Sequence, residues 1–312
     1  MSEGSRSHLR GLVEVAAASV LWGTGGLAVQ LIREHDDLSP VTISAWRMAL
    51  AAAVLLVALL VARRGRELVD LALSQPRQLL AVGAGTAAYQ GLYFVSVTQV
   101  GVAVSTVVSL GLAPVLLTVA ESVRHRRAPA SSRLAVLVAA LTGLVLVSVA
   151  GHESSTGPAP VMGVVLAIAS GTTYALTTVA GGSISRTSSP LVLTSGMTLV
   201  GAAVLLPCLA FVDGARGTTD VAALAWLLYL GVLTMALAYV LLYSGLRVVA
   251  PSTAVTASLI EPVTAAVVAA VVLHEALGPA AVVGILLVLG AVAGLGRPSA
   301  AAGPVLPDPE VD

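Results

Sequence analysis

With 312 residues, 57% of them hydrophobic and only 10% charged, this chain cannot clothe a water-facing core. Soluble domains carry about a quarter charged residues, so most side chains here must face lipid or one another. The net charge is zero and all sixteen basic residues are arginine. The single cysteine, Cys208, excludes an internal disulfide and a cysteine metal cage.

Ten apolar segments follow in order, at approximately residues 11–32, 41–62, 79–98, 103–123, 134–151, 161–183, 190–212, 222–245, 252–273 and 279–296. About 20 apolar residues in a helix cross the roughly 30 Å of bilayer hydrocarbon. An open-ended segment there must satisfy its backbone internally, which selects helices. The segments show none of the period-two alternation of a barrel strand. The expected class is an all-α integral membrane protein with ten transmembrane helices. Arg6 and Arg10 precede the first segment, but its length and Glu14 argue against a cleaved signal peptide.

Arginine placement predicts orientation. Arg6, Arg10, Arg63, Arg64, Arg66, Arg77, Arg124, Arg126, Arg127, Arg133, Arg186, Arg247 and Arg297 all fall on one side of a ten-span topology. Only Arg33 and Arg216 fall on the other, among most of the acidic loop residues. The positive-inside rule therefore puts both termini in the cytoplasm. Arg47 alone lies inside a span.

The two halves resemble each other. Ala88, Tyr89, Leu92 and Tyr93 recur as Ala238, Tyr239, Leu242 and Tyr243, each 150 positions later, and Pro40 recurs as Pro190. Pro114 corresponds to Pro262, with Ala113 where the second half has Glu261. Five spans per half is an odd number, so the second copy must be inverted. That plan recurs in secondary transporters, with the binding site near the midplane between the halves. The expected organisation is a cytoplasmic N-terminus at 1–10, five-helix repeats at 11–151 and 161–296, and a disordered cytoplasmic tail at 297–312, rich in Ala, Pro and acidic residues.

Two five-span halves, the A-Y-x3-Y segment, the central E-P of span nine and the closing H-E-A-L-G-P-A-A-V-V-G-I-L-L-V-L-G-A-V together resemble the drug/metabolite transporter superfamily, specifically its EamA-type group. The resemblance covers residues 11–296. It implies a ten-helix bundle in the plasma membrane that moves metabolites, amino acids or toxic organic compounds, usually outward. The acidic residue that the family has after span four would fall near Arg127, in R-H-R-R-A-P, so this chain departs from the pattern there.

Glu261 is the leading candidate for chemistry. It is the tenth residue of span nine, roughly 13–14 Å in at the helical rise. A charge at that depth costs about 2.5–3.5 kcal/mol on insertion scales and ordinarily faces a cavity or partner. Pro262 lacks an N–H, which predicts a free carbonyl at Ser258 beside the carboxylate. Its bland alternative is a protonated carboxyl bonded to a neighbouring helix. Arg47, about 10 Å into span two, is expected to bind a substrate carboxylate, to pair with Glu261 as a gate, or to anchor the helix by snorkelling.

Trp22, Tyr89 and Tyr174 lie near mid-span, away from the interfaces where such residues collect. Tyr93, Tyr239 and Tyr243 join them as candidate substrate-binding residues lining a wet central cavity, against the alternative of plain interhelical packing. Pro114 and Pro262 are expected helix breaks. Gly23-x-Gly25-Gly26 should loosen span one, and Gly290-x3-Gly294 should bring span ten close to a neighbour.

A small-molecule carrier in the lipid bilayer is thus expected, with proton coupling through Glu261, as a monomer or homodimer, without cofactor, metal or nucleic-acid partner. Channel or scramblase activity is the first alternative. An intramembrane enzyme is the second, but no span holds a serine or zinc motif of the required spacing. The Arg47–Glu261 combination favours amino-acid-like zwitterions over amines and organic cations.

Overall fold

The computed structural model describes residues 3–150, 158–211, 217–272, 274 and 277–296. Among them every regular element is helical. The first helices are α1 (Glu3–Gly23), α2 (Gly25–His35), α3 (Pro40–Val61), α4 (Gly65–Ser74), α5 (Pro76–Val100), α6 (Val102–His125) and α7 (Ser131–Ala150). After the segment 151–157 come α8 (Pro160–Ser185), α9 (Pro190–Cys208), α10 (Val221–Tyr229), a π-helical segment (Leu230–Leu237) and α11 (Ala238–Gly245). The last are α12 (Pro251–Ala257), α13 (Ile260–Val272) and α14 (Pro279–Leu295). Residues 3–10, expected to precede the first span, belong to α1. The expected tail at 297–312 lies outside the described residues.

Proline and side-chain caps set many of the starts. Helices α3, α5, α8, α9, α12 and α14 each carry Pro at the first turn, where its missing N–H costs nothing and its fixed φ is already helical. Ser39 caps α3 by accepting from Thr42 N–H, and Asp220 caps α10 through a 2.8 Å bond from Ala223 N–H. Gly101 alone separates α5 from α6, at φ 86°. That backbone region favours glycine.

Among the described residues, eight helical stretches are long and apolar enough to cross a membrane: Gly4–His35, Pro40–Val61, Val102–His125, Ser131–Val149, Pro160–Ser185, Pro190–Phe211, Val221–Gly245 and Pro251–Val272. The 25-residue α5 and the shorter apolar α14 pack among them. The outward faces are apolar, as at Val61 (80% exposed) and Leu286 (64%), which suits hydrocarbon. Helix α4 lies between spanning helices with only Leu71 buried.

The main pairings are α3 with α9 and α7 with α14; α5 with α8 and α1 with α11; α6 with α8 and α1 with α13; α5 with α9 and α3 with the π-helical segment. Glycine sets the closest approach. A Cβ on Gly143 of α7 would sit 2.6 Å from the Gly284 carbonyl oxygen of α14, and one on Gly284 would sit 2.7 Å from that of Gly143. Of the expected Gly290–Gly294 pair, Gly294 does approach α7, where its notional Cβ would lie 3.1 Å from Val136, whereas Gly290 has no neighbour within 4 Å; the closest approach is made by Gly284.

Among the described residues three spans are irregular: span one and span nine, where loosening and a break are expected from the glycines and Pro262, and span eight, expected as a continuous helix. Span one slackens at Thr24, between two glycines, where the hydroxyl donates back to the Leu21 carbonyl at 2.7 Å. Span eight widens into the π-helical segment. Span nine breaks at Ser258–Leu259, one turn before Pro262. There the chain tightens: Leu259 N–H donates to Thr256 and Glu261 N–H to Ser258, at 3.2 and 2.9 Å. The Ser258 carbonyl that Pro262 cannot serve is thus taken by Glu261 N–H, so the expected free carbonyl is absent. Pro114 produces no break. Helix α6 runs unbroken from Val102 to His125, with Gly111, Ala113 and Pro114 buried between neighbours that hold the helix through the one lost bond.

Candidate functional site

The irregular segments of spans one, eight and nine meet. A Cβ on Gly23 would lie 2.5 Å from the Glu261 carbonyl oxygen and from Thr264, so the slack end of α1 lies directly on the start of α13. Thr24 Oγ1 also hydrogen-bonds Tyr229 Oη at 2.7 Å, immediately before the π-helical segment. π-Bulges gather at functional sites because one inserted residue re-aims the side chains that follow. Here those side chains are Tyr239 and Tyr243.

Glu261 opens α13 and is only partly buried. Its carboxylate has no hydrogen-bond or ion-pair partner among the described residues. Arg47, on α3, donates from Nη2 to Gln90 Oε1 of α5. Its Nε is buried and finds no acceptor among the described residues. The two charges lie within electrostatic reach of each other and of Tyr89, yet they form no salt bridge. Gln90 was not among the candidates from sequence. The available signal was a primary amide within a 25-residue apolar helix, directly after Tyr89. Its own Nε2 donates back to the Thr86 carbonyl at 3.3 Å, which leaves Oε1 aimed at Arg47.

The aromatic candidates form one connected cluster, with one exception. Tyr89 and Tyr239 share a 2.6 Å hydroxyl–hydroxyl bond. Tyr174 is tilted against Tyr89 with centroids 5.3 Å apart, Trp22 meets Tyr239 edge-on at 5.2 Å, and Tyr243 follows Tyr239 at 6.0 Å. Tyr93 stands apart: its hydroxyl bonds Thr106 Oγ1 at 2.8 Å and its ring meets Phe94. Tyr89, Tyr174, Tyr239 and Tyr243, with Thr86, Thr177 and Thr178, enclose a cavity of about 10 Å³. A single water needs roughly 10–15 Å³. The wet central cavity expected from sequence is thus closed in this conformation, with the Tyr89 and Tyr239 hydroxyls bonded to each other across it.

Such a constellation can hold a small solute with two charges. A half-satisfied guanidinium and an unbonded carboxylate offer opposite poles, and the tyrosine faces provide an apolar, polarisable wall between helices.

The comparisons with known proteins agree on the class of molecule. The sequence profile of the EamA-like transporter family matches residues 9–149 and 161–297. The chain belongs to the EamA-like transporter family. It is 30% identical over 275 residues, 88% of this chain and 90% of the relative, to the uncharacterized transporter YwfM of Bacillus subtilis (strain 168). A solved crystal structure superposes with a TM-score of 0.76, covering 93% of this chain and 97% of its own, at 20% identity; that likeness shows the fold alone. With its apolar spanning helices, this EamA family member is a multi-pass membrane protein of the drug/metabolite transporter superfamily.

Proposed function

We propose that this protein is a secondary carrier that moves a small zwitterionic, amino-acid-like metabolite out of the cell by alternating access. In this reading ten helices span the plasma membrane, counting α5 and α14, as two inverted five-helix repeats with both termini cytoplasmic. The observation that carries the substrate class is the pair Arg47 and Glu261. They are opposite charges inside the bundle, within electrostatic reach but unpaired, and each has bonding capacity to spare. A solute carboxylate suits the planar fork of Arg47, and its ammonium suits Glu261. Proton coupling is assigned to the same carboxylate, since a group that binds an ammonium in the interior also binds a proton when the site is empty.

Several contacts support the inverted repeat. The family profile matches two separate stretches of similar length. Tyr89 and Tyr239, which correspond to each other in sequence, touch at 2.6 Å, as equivalent residues do only near a two-fold axis. A Cβ on Gly23 would lie against the Glu261 carbonyl oxygen as one on Gly171 would against that of Ser109, both at 2.5 Å. Judged by these approaches, the counterpart of Glu261 is Ser109, one turn before the Ala113 that the prolines align.

The test is counterflow in vesicles holding the purified protein, across neutral amino acids, primary amines and cationic dyes. Saturable exchange of neutral amino acids is expected. Exchange of the cations alone would replace the zwitterion by an organic cation held by the aromatic cluster. Unsaturable flux would make the protein a channel, and product formation an enzyme.

A further inference from the structure

A second and much larger space opens at the end of the bundle that carries Arg64 and Arg247. It is a cleft of about 430 Å³ between α4, the α8–α9 turn and the α11–α12 turn, within the range of small-molecule sites. Its walls are mostly polar, with Arg64, Asp70, Gln75, Thr187, Ser189 and Arg247 among them.

Three helices lead from the closed tyrosine cavity to this cleft. On α5, Thr86 lines the cavity, and Gln75, just before the helix begins, lines the cleft; on α8 the corresponding residues are Thr177 and, just past the helix end, Thr187. On α11, Tyr243 lines the cavity and Arg247, one turn later and just past the helix end, lines the cleft. At about 1.5 Å per residue, these steps are roughly 15–17 Å on α5 and α8 and about 6 Å on α11. Along α11, Tyr243 is the cavity-lining residue nearest the cleft in the chain. Its ring is 2% exposed and lies so close to α8 that a Cβ on Gly181 would sit 2.5 Å from Cε1. Two polar contacts then join the first half of the chain to the second beside the cleft. Arg64 Nη1 donates to Ser189 Oγ at 2.9 Å, and Gln75 Nε2 to Thr187 Oγ1 at 3.5 Å.

We propose that this cleft is one mouth of the translocation path, plugged by Tyr243 against Gly181 and latched by the Arg64–Ser189 and Gln75–Thr187 contacts. The inference rests on the reading of the protein as an alternating-access carrier. The mouth's chemistry matches the solute of that reading. Arg64 is held by Glu67 through two 2.6 Å bonds, which keep the Glu67 carboxyl below the usual carboxylate range. Asp70 and Arg247 form no ion pair among the described residues. They remain as opposite charges for a zwitterion entering from solution.

In a Cys208→Ser background, Gln75→Cys with Thr187→Cys places two thiols across the latch. Joining them with a short reducible bis-thiosulfonate is expected to cut neutral amino-acid counterflow by roughly tenfold or more, and reductant should restore it. Equal flux in the bridged and reduced forms overturns the inference. If wild-type protein carries no solute at all, the carrier reading fails instead, and the mouth is judged by a second measurement that needs no transport. Thr177→Cys, in the same background, is exposed to a membrane-impermeant maleimide from the Arg64 side. Adding Arg64→Ala and Gln75→Ala is expected to speed labelling by about fivefold or more. An unchanged rate, or acceleration only from the opposite side, overturns the mouth. Thr178→Cys serves where Thr177→Cys fails to insert.

Discussion

Tyr89→Phe removes a single oxygen and leaves the ring's contact with Tyr174 in place. What it deletes is the 2.6 Å hydroxyl bond to Tyr239, a bond between the two halves of the chain across the closed cavity. Net values for such bonds are about 0.5–1.5 kcal/mol in proteins generally. Across membrane helices they average about 0.6 and reach about 1.7 kcal/mol. If the bond exists only while the halves are closed, its loss raises the open fraction by roughly 3- to 18-fold, with RT near 0.6 kcal/mol. The rate at which a maleimide reaches Thr177→Cys, in the Cys208→Ser background, reports that fraction. Tyr239→Phe should accelerate labelling by a similar factor. The double variant should add nothing further, since the second substitution has no bond left to break. An unchanged rate in Tyr89→Phe, or factors that multiply in the double variant, would refute the argument.

Glu261→Gln keeps the size of the side chain but not its charge, and substrate counterflow should fall by about tenfold or more while membrane insertion is normal; near-normal exchange would sink the role given to Glu261. Arg47→Glu and Glu261→Arg should each abolish exchange. Recovery in the double variant would mean that the two form a pair in some state of the cycle, whereas continued loss fits two separate poles for one solute. Gly143→Leu forces α7 away from α14 and should lower thermal stability by about 1–3 kcal/mol, read by the melting of purified protein in detergent. Gly290→Leu, which points into open space, should melt as the wild type does; equal losses at both positions would contradict the packing described.

Much of the architecture was legible in the chain because lipid leaves few options. Where hydrocarbon is the solvent, a run of 20 apolar residues must be helical, and the prolines at helix starts mark the joints. The candidate residues were legible for the same reason: a glutamate or arginine in such a run is conspicuous. Their partners were less so. The Arg47–Gln90 bond joins residues 43 apart in the chain, and the Tyr89–Tyr239 bond joins residues 150 apart. The break of span nine lies at Ser258–Leu259, one turn before Pro262, where the proline's missing N–H and its ring act on the Ser258 carbonyl. Pro114 shows the other outcome, a proline carried inside an unbroken helix.

Composition and spacing alone determined that this is a membrane-spanning helical protein, because burial in lipid and helical rise are local constraints that any residue window reveals. Only the tertiary structure decided which tyrosines bond each other, that the space between them is closed, and that Arg47 and Glu261 stay apart. Those are questions of distance between helices. Such distances are set by small residues at the contacts, Gly23, Gly143, Gly181 and Gly284, whose partners lie far away in the chain.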